Sequence, residues 1–167
     1  MVRRLLQIRP GLALSISCTT RAPRPGERPG AEYRFVTPEE FDRLVDEGRF
    51  LEWAEVFGHR YGTLSQPIRD AQADGRDVIL EIDVQGAANV RRGDPDAVLI
   101  FLMPPSSEEL ARRLAARRTE GQAARAARLA AAKEELGHAG GFDHVVVNDD
   151  VERAAAEVAA ILDAYPG

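Results

Sequence analysis

Ser15-Ile16-Ser17-Cys18-Thr19-Thr20-Arg21-Ala22-Pro23-Arg24-Pro25-Gly26-Glu27 sets two guanidinium groups, Arg21 and Arg24, beside a row of hydroxyls. Pro23 and Pro25 stiffen the backbone between and after them. Two planar forks at a fixed spacing suit a dianionic phosphate, which accepts bidentate hydrogen bonds from arginine. The stretch follows an apolar alternating run from Leu12 to Ile16 that reads as a strand. Phosphate groups bind just beyond the carboxyl ends of strands in open α/β sheets. The other reading is a solvated arginine-rich turn, and this stretch alone leaves both open.

Outward from it, the elements alternate. A strand is expected over 12–17, a proline- and glycine-rich loop over 18–32, and a short strand over 33–36. Thr37-Pro38-Glu39-Glu40 is a helix start, with an N-cap hydroxyl, proline at the first helical position and glutamate at the third. That helix carries Phe41, Leu44 and Val45 on one face and ends at Gly48. Residues 50–57 alternate as a half-buried strand, and 59–63 pair with it across a short turn. A helix over 67–73 stops at Gly75. Short apolar runs at 78–82, 98–102 and 145–147 read as buried strands. Helices are expected over 106–118, 122–136 and 151–162. Strands alternating with helices indicate an α/β sheet, and the segment 33–64 breaks that rhythm as an inserted lobe would.

Composition sets bounds. A chain of 167 residues is one domain, or a core with small inserted lobes. A net charge of −5 argues against a general nucleic-acid binder, which shows a basic face. Cys18 is the single cysteine, so no intrachain disulfide forms; it fits a reducing compartment and a structural role. No apolar run is long enough to span a bilayer and no signal-peptide pattern opens the sequence, so a cytoplasmic location is expected. His59, His138 and His144 are scattered without ligand spacing, which disfavours a structural metal.

Five motifs stand in order: Ser17 to Glu27, Glu32-Tyr33-x-Phe35, Phe50-Leu51-Glu52-Trp53-Ala54, Tyr61-Gly62-Thr63, and Glu81-Ile82-Asp83-Val84-Gln85-Gly86. Together they resemble the guanylate kinases, which phosphorylate GMP with ATP, and the likeness covers almost the whole chain. It implies a P-loop-kinase-like α/β fold, a parallel sheet with helices on both faces. The core is 1–32 and 65–167, the GMP-binding lobe 33–64, and a helical lid lies within 106–130. Arg21 and Arg24, with Tyr33 and Tyr61, match the clamp on the GMP phosphate. Ser17, Glu52, Thr63 and Asp83 match positions that contact guanine or place the nucleotide. A carboxylate suits guanine, whose N1–H and 2-amino group are adjacent donors; adenine offers an acceptor at N1 and leaves the carboxylate unpaired. Lid arginines Arg113, Arg117 and Arg128 match groups that stabilise charge on the transferring phosphoryl oxygens. Asn148 matches a residue on the ATP side. Magnesium is expected with ATP, held mainly by phosphate oxygens and water. Bland readings stand beside these: a surface-facing glutamate, half-buried strand tyrosines, a solvated arginine-rich helix face, and an asparagine cap after a strand.

The sequence also departs from the family pattern. Guanylate kinases begin with a strand and a Gly-x-x-x-x-Gly-Lys loop, whereas this sequence opens on Met1-Val2-Arg3-Arg4-Leu5-Leu6-Gln7-Ile8, which resembles the helix after that loop. The only lysine is Lys133, outside any glycine-rich turn. The family strand lies between those matching 78–82 and 98–102, so without it their edges lose backbone partners. The expectation is a longer polypeptide carrying the first central strand and the ATP-binding loop, missing here. In the lid, Arg118 stands where the family has glycine, and Glu120-Gly121-Gln122-Ala123-Ala124 replaces an acidic run. Two functions follow: a guanylate kinase that converts GMP to GDP, or an inactive module of that fold that binds GMP or a phosphorylated partner. The retained guanine-side carboxylates and lid arginines favour the first.

Overall fold

The computed structural model describes residues 1–116 and 122–165. The chain divides into two compact units, Arg9–Ala97 and Met1–Ile8 with Val98–Pro166.

In the Arg9–Ala97 unit, the expected strand over 12–17 forms only at Ala13–Leu14, and a further short strand opens the segment 18–32, where a loop is expected. Strand β1 (Ala13–Leu14) pairs in parallel with β6 (Val78–Ile79), Ala13 opposite Val78. The chain then enters a second sheet as β2 (Cys18–Thr19). This sheet has the order β3-β2-β5-β4, with β3 at Arg34–Phe35, β4 at Phe50–Val56 and β5 at His59–Leu64. β2 runs parallel to β3 and antiparallel to β5, and β4 and β5 form a hairpin. Its two-residue turn is Phe57-Gly58, both with positive φ (52° and 73°), the backbone that matches strand twist.

Helix α2 (Pro38–Asp46) starts as its sequence requires. Thr37 Oγ1 accepts the Glu40 N–H at 3.2 Å, and Glu39 and Glu40 complement the dipole of the first turn. The chain leaves the helix through Gly48 at φ 62°, the left-handed position that glycine adopts without a Cβ penalty. α2 buries Phe41 completely, stacked on Phe50 with ring centroids 4.5 Å apart. Burial of such a side chain stabilises the fold by about 1.5–3 kcal/mol. Helix α3 (Ser65–Ala73) begins two residues earlier than the pattern predicts and buries Ile68 and Ala71.

Helix α4 (Val84–Gly93) is absent from the sequence expectations. A glycine in its first turn and few apolar positions hide it, but Asp83 is its N-cap and accepts the Gly86 N–H at 2.7 Å. The helix packs on β4 through Ala87 and Val90, which are buried.

In the other unit, α1 (Val2–Ile8) packs against α7 (Val151–Asp163). Leu5, Ala154 and Ala155 are fully buried, and Arg4 Nε reaches Glu152 at 2.6 Å. Strands β7 (Ile100–Met103) and β8 (His144–Val147) pair in parallel, Phe101 opposite Val145. The Phe101 ring meets Phe142 edge-on at 5.1 Å. Helices α5 (Ser107–Ala116) and α6 (Gln122–Leu136) pack on each other. Among the described residues, parallel strand pairs with seven α-helices give an α/β fold, as expected. Among the described residues no helix is long and apolar enough to cross a membrane.

Candidate active site

Strand register collects the polar residues on one face of the β3-β2-β5-β4 sheet. Thr19 lies opposite Phe35 on one side and Tyr61 on the other. Tyr61 lies opposite Ala54, and Thr63 opposite Glu52. Side chains two residues apart share a face. Thr19 of β2, Phe35 of β3, Tyr61 and Thr63 of β5, and Glu52 and Ala54 of β4 therefore share that face, and Ser17, Arg21 and Tyr33 flank the two short strands. The opposite face holds Cys18, Phe50, Trp53 and Gly62, next to Phe41. Gly62 leaves room for the Phe50 ring; a Cβ there would sit 2.8 Å from it.

At one end of the polar face is a cationic group with aromatic walls. Arg21 is only 8% exposed. Its Nη1 donates to the Ala22 carbonyl at 2.7 Å and its Nη2 to Glu27 Oε1 at 2.8 Å. The guanidinium carbon lies 5.4 Å from the centre of the Tyr33 ring and 5.8 Å from that of Phe35, within cation–π range. Tyr33 and Tyr61 meet edge-on at 5.9 Å. The Glu27 hydrogen bond, together with the Tyr61 phenol, raises the Arg21 pKa above its ordinary value. In return, Arg21 holds the Glu27 carboxyl below the usual carboxylate range. Burial pushes the Tyr33 phenol up. Glu27 Oε2 also accepts the Arg24 backbone N–H at 2.7 Å, so a single carboxylate ties both arginines of the opening motif together.

At the other end is a buried carboxylate. Glu52 is 7% exposed and Thr63 is fully buried. The Thr63 hydroxyl donates to Glu52 Oε1 at 2.6 Å across the β4–β5 hairpin. Burial raises the Glu52 pKa; the Thr63 hydrogen bond opposes that shift, and the nearby Asp83 carboxylate adds to it. Asp83 reaches this place as the cap of α4, which packs on β4. Tyr61 and Thr63 are alternate residues of β5, roughly 7 Å apart along the strand, so one strand joins the cationic end to the carboxylate end.

The family profile described as "Guanylate kinase" matches residues 2–165. The chain belongs to the guanylate kinase family. It is 51% identical over 160 residues to the guanylate kinase of Symbiobacterium thermophilum, covering 96% of this chain and 76% of that protein. Against the guanylate kinase of Cutibacterium acnes the identity is 52% over 163 residues, covering 97% and 82%. The crystal structure of guanylate kinase from Anaplasma phagocytophilum superposes with a TM-score of 0.85 at 39% identity, covering 99% of this chain and 80% of that one.

Of the residues expected from the guanylate kinase resemblance, Ser17, Arg21, Arg24, Tyr33, Glu52, Tyr61, Thr63 and Asp83 all lie in the Arg9–Ala97 unit. The rest belong to the other unit or fall outside the described residues. Arg113 is in α5 with its Nε on Glu109 Oε1 at 2.6 Å, and Arg128 is half-buried in α6. Arg117 lies outside the described residues. Asn148 follows β8, and its N–H donates to the Met103 carbonyl at 2.7 Å, which extends the β7–β8 ladder. Among the described residues no three His, Cys, Asp or Glu side chains gather to hold a metal ion.

Sequence reasoning gave no role to Glu27 or Gly86. Both stand inside quoted motifs, and only the contacts across the fold show what they touch.

Proposed function

We propose that this guanylate kinase family member phosphorylates GMP to GDP with ATP, and that the polar face of the β3-β2-β5-β4 sheet binds GMP. Arg21 and Arg24, with the Tyr33 and Tyr61 phenols, grip the phosphate. Glu52 and Asp83, with Ser17 and Thr63 alongside, read guanine. The observation that carries this reading is β5: Tyr61 reaches Arg21, and two residues on Thr63 holds Glu52. A phosphate site and a donor-reading carboxylate on one face, joined by one strand, suit a purine nucleoside monophosphate, which carries its phosphate and its base donors at opposite ends.

Phosphoryl transfer needs no protein nucleophile, because catalysis rests on positioning and on neutralising charge at the transferring group. The GMP phosphate is the nucleophile, and the clamp aims it. Arg113, Arg117 and Arg128 are the cations proposed to face the transferring oxygens, and Asn148 a contact on the ATP side. Magnesium would come with ATP, held mainly by phosphate oxygens and water, and would neutralise charge on the transferring group. The donor-phosphate loop of the family has no counterpart in these 167 residues, whose only lysine is Lys133. Segment 33–64 is assigned as the GMP lobe, 106–130 as the lid, and the cytoplasm as the compartment.

Calorimetric titration with GMP and AMP tests the assignment. Selective binding of GMP is expected, and equal binding of the two would remove Glu52 and Asp83 as guanine readers.

A further inference from the structure

We propose that Gly86 is a specificity-determining residue: it admits the Glu52 carboxylate against the first turn of α4 and so sets where the guanine-reading oxygens lie. The inference rests on Glu52 reading guanine. Gly86 is buried, and its N–H is held by Asp83 Oδ1 at 2.7 Å. It is not among the glycines with positive φ, so its backbone conformation does not demand glycine. Glycine inside a helix is less stable than alanine. Something other than conformation accounts for it, and the space around it supplies the reason. A Cβ on residue 86 would stand 2.7 Å from Glu52 Oε2 and 3.3 Å from Glu52 Cδ, with Ile82 Cβ at 3.2 Å.

The carboxylate has little freedom to step aside. Its Oε1 holds the Thr63 hydroxyl at 2.6 Å, and swinging Oε2 away from α4 would break that bond. Glu52 is therefore held by Thr63 on one side and seated on the bare Cα of Gly86 on the other. Asp83 is tied to the same turn through the Gly86 N–H, a backbone bond that alanine would keep, so the contact a side chain at 86 makes falls on Glu52 and Ile82. Two adjacent donors on guanine require both oxygens at defined positions, and a shift of a few tenths of an ångström weakens both hydrogen bonds.

The test measures GMP and IMP binding by calorimetry to the 167-residue chain and to Gly86→Ala, Glu52→Gln and their double variant. IMP keeps N1–H but lacks the 2-amino group. Gly86→Ala is expected to weaken GMP binding by at least about tenfold, the loss of a hydrogen bond to a charged group, and to shrink the preference for GMP over IMP. In the Glu52→Gln background the same glycine change should cost little more. Additive losses would show that Gly86 acts on the fold rather than through Glu52, and would overturn the proposal. If Glu52→Gln alone leaves the GMP preference intact, the guanine reading itself fails, and this inference falls with it. Thermal melting covers the case in which Gly86→Ala folds poorly. Adding Glu52→Ala vacates the carboxylate and should recover part of the lost melting temperature; no recovery would also overturn the proposal.

Discussion

The two oxygens of Glu27 divide their work between Arg21 and Arg24: one accepts the Arg21 guanidinium at 2.8 Å, the other the Arg24 backbone N–H at 2.7 Å. The Arg21 side chain is 9% exposed and that of Glu27 17%, so the pair is poorly screened by solvent. A loop rich in proline and glycine is thereby held in one shape before any phosphate arrives, which lowers the entropy lost on binding.

Loss of the Arg21 guanidinium should be felt through the phosphate of the nucleotide alone. Arg21→Ala is expected to weaken GMP binding by about 1.5–3 kcal/mol, the range for a hydrogen bond to a charged group. Guanosine, without the phosphate, should bind almost unchanged. Calorimetry with both ligands decides it, and equal losses for the two would make Arg21 a residue of the fold alone.

Glu27→Ala leaves a buried guanidinium without its counter-charge and an amide without its acceptor. Chemical denaturation should show a stability loss of about 1–3 kcal/mol at neutral pH. A neutral result would mean that water replaces the carboxylate at no cost.

The raised pKa of Glu52 has opposite consequences for stability and for binding. In the folded protein the carboxyl keeps its proton to higher pH than in the unfolded chain. Between the ordinary carboxylate pKa and the raised folded one, the native state binds more protons, so stability from this group falls as pH rises through that window. Guanine recognition needs the ionised form, so guanosine affinity should rise through the same window. Guanosine is the ligand of choice because it has no titrating phosphate. Glu52→Gln should flatten both profiles; an unchanged guanosine profile in the variant would assign the titration elsewhere.

Cys18 is fully buried, and burial pushes its thiol up to about 11. The thiolate is the reactive form, so the native protein should resist alkylation at pH 8 and react on unfolding. Mass spectrometry after iodoacetamide treatment, with and without denaturant, checks this. Rapid native labelling would mean that β2 opens readily.

On the donor side, the 167-residue polypeptide should bind GMP yet transfer phosphate slowly. Arginines of a lid need a fixed ATP to close upon, and no Gly-x-x-x-x-Gly-Lys sequence is present to cradle its phosphates. Placing a strand and such a loop ahead of Met1 should raise turnover by orders of magnitude in a coupled ADP assay. Comparable turnover of the two forms would locate the donor contacts in residues not assigned here.

Local chemistry was legible in the residues alone. Thr37-Pro38-Glu39-Glu40 specifies a helix start because its bonds close within one turn, and the structure forms it. The order of motifs from Ser17 to Gly86 was enough to indicate the family, which the comparisons bear out. The alternating pattern over 50–57 and 59–63 specified a hairpin, because a period of two is written into neighbouring residues. Only the tertiary structure decided which strands are neighbours. Nothing local states that Thr63 stands opposite Glu52, that the run from Leu12 changes sheets before Cys18, or that Asp83 caps a helix whose first turn presses Gly86 against Glu52. These contacts join residues far apart in sequence, and register and packing set them for the whole sheet at once.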